Sequence, residues 1–206
     1  MYNKDMIILF GPAGSGKSTQ GRTIADKYGW KWLSVGQVLR ETGRFSETLK
    51  NGELVDDKEV VKLMDEQILR AETEGMDVIL DGYPRDVEQT EIMLSDEQSE
   101  FFSKIDGAIV LKVPEEELWK RILERGRNDD TEEVVKRRFQ IFEQNIYSIL
   151  PLLESRNVPV VEVDGVGSYD DVTARIEQVV RELMPGTVET PNIENDAVER
   201  EGSYGE

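Results

Sequence analysis

A parallel α/β sheet covered by helices on both faces, a three-layer α/β/α fold, is what this sequence predicts, and three observations predict it. Apolar runs such as 6–10 (MIILF) and 107–113 (GAIVLKV) show little polar alternation, as strands buried on both faces require. Helical patterning separates these runs along the first 184 residues. A glycine-rich loop joins the first run to the first helix, and in such folds ligands bind at the carboxyl ends of the strands.

The elements follow in order. After strand 6–10 comes a helix over 17–28 and a short strand at 31–35. Asp56-Asp57-Lys58-Glu59 reads as a capping box opening a helix to about residue 73. Strands are expected at 77–81 (DVILD) and 107–113, then a helix at 114–124. A longer helix from Thr131 places Val135, Phe139, Phe142, Ile146 and Ile149 on one stripe until Pro151 kinks or ends it. The last strand is 158–163 (VPVVEV), and Ser168 caps a helix running to about residue 184. Residues 1–184 thus form one domain. The stretch 185–206 is polar and acidic, with almost no large apolar side chains, and reads as a disordered tail.

Composition removes whole classes of function. The 206 residues include no cysteine and no histidine, which excludes thiol nucleophiles, disulfide frameworks, Ser-His-Asp triads and Cys/His zinc sites. Carboxylates, lysine, arginine, hydroxyls and an oxygen-bound metal remain, and phosphoryl transfer needs nothing else. A formal net charge of −18 disfavours nucleic acid or an anionic membrane as partner. The first apolar run is too short for a signal-peptide core or a bilayer span, so a cytoplasmic location is expected. Screening acts over roughly 8 Å, so a local cluster of basic residues outweighs the total charge for an anionic ligand.

Gly11-Pro12-Ala13-Gly14-Ser15-Gly16-Lys17-Ser18 matches G-x-x-x-x-G-K-[ST] in full, between a buried strand and a helix. Backbone N–H groups of Gly14, Ser15 and Gly16 converge on phosphate oxygens, and the helix N-terminus adds its dipole. Lys17 reaches the β- and γ-phosphates of ATP, and a hydroxyl from Ser18 or Thr19 supports Mg²⁺. Asp81, ending DVILD, is the carboxylate that orients Mg²⁺ through its waters. Alone it would be an ordinary turn aspartate; the phosphate loop gives it this role. Arg121 and Arg125, four residues apart, share a helix face and can converge on one anion.

Beyond this loop, Leu33-Ser34-Val35-Gly36-Gln37-Val38-Leu39-Arg40, then Asp81-Gly82-Tyr83-Pro84-Arg85 through Gln89, then residues 121–138, resemble the adenylate kinase family of nucleoside monophosphate kinases. The likeness covers about residues 5–184. It implies a P-loop NTPase fold with a parallel five-stranded sheet, a helical acceptor-binding insertion at 34–59 and a lid over ATP. It implies transfer of the γ-phosphoryl of Mg·ATP to AMP, with a monomeric enzyme expected. By resemblance, Arg40 and Arg85 hold the acceptor's phosphate, with Gly82, Tyr83 and Pro84 beside them. The backbone of Glu53, Leu54 and Val55 lies along its base and ribose, and Gln89 hydrogen-bonds adenine. Arg121 and Arg125 match arginines on the ATP phosphates, and Arg127 and Arg138 match the pair that clamps the transferring group. Gly167, in the loop Gly165-Val166-Gly167, is assigned to the donor side.

The chain also departs from the family pattern. Gly16-Lys17-Ser18-Thr19 replaces the common G-K-G-T, and Val35 stands where a threonine hydroxyl usually meets the base. Gly126 alone separates Arg125 from Arg127, so the lid at 125–127 is vestigial and donor-side closure is expected to be small. Val35 keeps a uridylate or cytidylate kinase as the alternative, whereas Gln89 favours AMP. A nucleotide-binding protein without catalysis is the reading of another class, and the retained arginines oppose it. A GTPase would need an N-K-x-D motif after an inner strand, and there is none in such a place.

Overall fold

In the computed structural model, residues 5–43, 56–95, 105–126 and 130–186 are described. Their order is β1 (Met6–Phe10), α1 (Lys17–Tyr28), β2 (Lys31–Ser34), α2 (Val35–Thr42), α3 (Asp57–Thr73), β3 (Val78–Asp81), α4 (Val87–Met93), β4 (Ile105–Lys112), α5 (Glu115–Arg125), α6 (Glu132–Ser155), β5 (Val160–Asp164) and α7 (Tyr169–Leu183). The strands form one five-stranded sheet in the order β2-β3-β1-β4-β5, every pairing parallel.

Strand β1 shows why the sequence folds this way. Met6, Ile8 and Phe10 point into one core cluster, with Val60, Met64 and Ile68 of α3 and Ile146, Ile149 and Leu153 of α6. Ile7 and Leu9 point into the other, with Ile24 of α1 and Val172, Ile176 and Val180 of α7. The period of two serves both faces, so all five residues must be apolar. Truncating Ile8 to alanine would leave a cavity, at a cost of about 2–5 kcal/mol.

Several boundaries differ from the sequence expectation, β4 for instance starting at Ile105 rather than 107, and three of them are instructive. β2 stops at Ser34, and Val35 already begins α2, so part of the expected insertion is a helix. β5 begins at Val160, because Pro159 has no N–H to give the ladder, and β5 lies at the sheet edge. α6 neither ends nor breaks at Pro151 but continues to Ser155. Pro151 and Tyr147 are both exposed, so the turn that loses its bond faces solvent while Ile149 and Leu153 stay buried.

Caps set the helix starts that matter for the site. The Asp56 carboxylate accepts from Glu59 N–H at the start of α3, and Ser168 with Asp171 forms a capping box on α7. Among the described residues, no helix is long and apolar enough to cross a membrane. The tail from 187 onward lies outside the described residues.

Candidate active site

The loop from Gly11 to Gly16 sits between β1 and α1 at the carboxyl end of the sheet. Gly14 and Gly16 have φ of 82° and 90°, which only glycine adopts without strain. A Cβ at Gly14 would come within 2.9 Å of the Leu118 carbonyl oxygen and of Ile122 Cγ1, so α5 packs directly against the loop. Gly16 caps α1 without a side-chain hydrogen bond, and the first turn of α1 carries no acidic residue. The N–H groups of that turn therefore remain for an anion.

Two cations lie across the loop. Lys17 Nζ donates to the Pro12 carbonyl at 3.3 Å. Arg121 donates from Nη1 to Ser15 O at 3.4 Å, from Nη2 to Gly165 O at 3.0 Å, and from Nε to Glu117 Oε1 at 2.8 Å. Arg121 thus ties the phosphate loop to the β5–α7 loop, where Arg175 Nη1 further holds the carbonyls of Asp164 and Val166 at 2.8 and 2.6 Å. Gly167 follows with φ 124°, against the Asp171 and Arg175 side chains.

Asp81 ends β3 in register with Leu9 of β1 and Ser34 of β2, which sets it beneath the phosphate loop. It is buried, and neither carboxylate oxygen has a hydrogen-bond partner among the described residues. A bare buried carboxylate is costly without a compensating charge. Lys17 Cε lies 3.5 Å, and Arg85 Nη2 3.8 Å, from where a Cβ on Gly82 would stand. Around the next turn, Arg85 Nε donates to Gly82 O at 2.9 Å. Arg40 Nη1 and Arg85 Nη2 both crowd Gly36, 3.3 and 3.4 Å from its would-be Cβ. Burial lowers the Arg85 pKa below its usual range, to about 10; Asp81 opposes that shift, while the positive charges of Arg40 and Arg138 add to it. Three cations thus converge where an anionic phosphate would fit.

Gln89 is buried in α4, with its amide fully engaged by protein groups. Val35 is buried at the start of α2, and Gly82, Tyr83 and Pro84 form the turn leading to Arg85. Ser18 is half-buried and Thr19 exposed on the first turn of α1. Arg127 and the acceptor segment Glu53, Leu54 and Val55 lie outside the described residues.

Sequence reasoning missed Asp130. Its buried carboxylate takes both Nε and Nη2 of Arg125 at 2.9 Å and Nη1 of Arg138 at 2.9 Å. It joins the end of α5 to the second turn of α6 across the short connection, with Gly126 in the left-handed region (φ 61°) closing α5. The signal was the acidic pair Asp129-Asp130 set between arginines, which reads on paper as a solvated salt bridge.

Comparison with known proteins agrees with this geometry. The sequence model of the adenylate kinase family matches residues 9–158. An adenylate kinase of Thermus thermophilus is 36% identical over 182 residues, 82% of this chain and 94% of that protein. One from Maricaulis maris is 36% identical over 188 residues, 85% and 98% of the two chains. One from Micrococcus luteus is 34% identical over 206 residues, 93% and 98%.

Proposed function

Because this chain belongs to the adenylate kinase family, we infer that it transfers the γ-phosphoryl of ATP reversibly to AMP, giving two ADP. One observation carries the reading. Lys17 of the phosphate loop and Arg85 of the acceptor turn approach the same point at Gly82, above the buried Asp81 carboxylate. A donor site and an anion-binding acceptor site therefore abut, which is the arrangement in-line transfer needs.

The family likeness, together with the positions of the described residues, supports a role for each group. The α1 N-terminus and Lys17 take the β- and γ-phosphates, and Arg121 and Arg125 neutralise charge from α5. Arg40 and Arg85 hold the acceptor phosphate, and Arg138 with Arg127 stabilises the group in transit. The unpartnered Asp81 oxygens suit the water shell of a Mg²⁺, with the hydroxyls of Ser18 and Thr19 nearby on α1. Among the described residues, no group of three acidic side chains could hold a metal unaided. That fits an ion bound mostly by phosphate oxygens and water. When bound, Mg²⁺ neutralises charge on the transferred phosphoryl.

In this reading residues 34–59 are the moving acceptor insertion, 125–127 is the reduced lid, and 185–206 is dispensable for transfer. A coupled assay with ATP against AMP, UMP, CMP and GMP tests the reaction. AMP should be the fastest acceptor, and faster turnover of UMP or CMP at equal concentration would reassign it.

A further inference from the structure

Arg22 stands on α1, one turn beyond Ser18, and reaches two other elements. Its guanidinium lies over the ring of Trp32 on β2, 4.4 Å from the centroid, and its Nη2 donates to Gln37 Oε1 on α2 at 3.4 Å. The seat under it is built. Gly21 is buried inside α1, where glycine is a poor helix former, and a Cβ there would press to 3.1 Å on Cδ1 and Nε1 of the indole. The missing side chain lets Trp32 pack against α1 and carry the cation on its face. The far end is built as well. Gln37 Nε2 donates to Glu41 Oε1 at 2.7 Å, which turns the amide oxygen toward Arg22. A flipped amide would set its NH₂ against a guanidinium and its oxygen against a carboxylate.

Arg40 follows Gln37 by three residues, so the two share a face of α2. That face is under load. Arg40 and Arg85 crowd each other at Gly36, and their repulsion pushes the outer side of α2 away from the acceptor turn. Val35 and Leu39 root the inner side of the helix in the core, and the bond from Arg22 opposes the push on the outer one. We propose that Arg22 is a positioning residue for acceptor binding: seated on Trp32 and bonded to Gln37, it sets the resting place of α2 in which Arg40 meets Arg85. The proposal rests on the acceptor role read for Arg40 above. It also gives the donor-side helix α1 a direct hold on the acceptor side.

Arg22→Ala and Gln37→Ala test it, with dissociation constants for AMP and ATP measured calorimetrically on the whole protein. Each variant should bind AMP about fivefold more weakly, the scale of one hydrogen bond, with ATP affinity unchanged. The double variant should be no weaker than the singles, because either change cuts the same tie. In an Arg40→Ala background, adding Arg22→Ala should cost no further AMP affinity, since the tie acts through Arg40. Losses that add in full there would give Arg22 a role apart from Arg40 and overturn the proposal. An unchanged AMP affinity in Arg22→Ala would also overturn it, as would equal weakening of AMP and ATP, the mark of a general loosening of α1. Because these readouts are equilibrium ones, a wild type that binds AMP with this dependence on Arg22 but transfers nothing would sink the kinase reading and leave the tether standing.

Discussion

On the donor side each described cation already has a partner, whereas on the acceptor side cations are set against one another. Lys17 rests on Pro12 O, Arg121 on Ser15 O, Gly165 O and Glu117, and Arg125 on Asp130. Across Gly82, by contrast, the guanidinium groups of Arg40 and Arg85 meet at Gly36, and burial lowers the Arg85 pKa. ATP phosphates must displace or share existing hydrogen bonds, so donor binding is largely an exchange. An acceptor phosphate instead relieves repulsion between the half-buried Arg85 and the exposed Arg40 beside it, so its binding gains more per contact. The same polypeptide thus prepares one half of its site by satisfying it and the other by leaving it strained.

The largest expected effect tests the strained half. Arg85→Ala should slow transfer by roughly 10²–10³-fold, as the loss of one preorganised transition-state donor does. Its melting temperature should change little, because the substitution relieves repulsion from Arg40 and Arg138 while removing the bond to Gly82 O and a charge near Asp81. AMP at about 100 times its dissociation constant should stabilise wild type by about 2.7 kcal/mol, and most of that gain should vanish in Arg85→Ala. A full AMP-induced shift in the variant would break the contrast between the halves. Next comes Asp130→Asn, which weakens the tie between Arg125 and Arg138. A fall in kcat of about tenfold is expected, the scale of hydrogen bonds to charged groups. Unaltered kcat would mean that the two arginines find their places without it.

On the satisfied half, Arg121→Lys keeps the charge but not the fork that spans Ser15 O, Gly165 O and Glu117. The KM for ATP should rise about fivefold, with a smaller change in KM for AMP. Equal changes for both nucleotides would show the halves to be coupled through Arg121. The smallest effect is a control at the opposite end of the sheet. Asp106 accepts Met6 N–H at 2.8 Å, and burial raises its carboxyl from 3.8 to about 6, that N–H opposing and the charges of Asp5 and Asp77 adding. With the folded pKa above the unfolded one, its contribution to stability is complete below about pH 4 and is lost as pH rises through about 6. Asp106→Asn keeps an acceptor for Met6 and should melt higher at pH 7, by roughly 2–4 °C for each kcal/mol gained. The two proteins should converge near pH 4, and a gap that persists there would assign the gain to something other than this carboxyl.

What could be read from the chain was whatever depends on local or periodic chemistry. The phosphate loop was legible because its glycines and its lysine act through their own backbone. β1, β3 and β4 were legible because burial on both faces leaves no polar position. α4 was missed because seven residues are too few to show a helical period, whereas α2 falls within the insertion expected to be helical. Pro151 misled because tolerance of a helical proline depends on which face its lost hydrogen bond occupies. Asp130 and Asp57 could not be found at all, since each gains meaning only when other elements bring Arg125 and Arg138, or Gln89, to its carboxylate.

The 24 residues of α6 carry a thermal consequence. At 1.5 Å per residue the helix is about 36 Å long. Arg138 stands near one end, while Ile146, Ile149 and Leu153 lock the other into the apolar interior shared with β1 and α3. The guanidinium is therefore mounted on a beam whose footing is the core itself. Its placement does not wait for nucleotide, and it cannot loosen by local fraying alone. Heat should then leave turnover intact until the whole domain lets go, with inactivation and cooperative melting falling on the same curve.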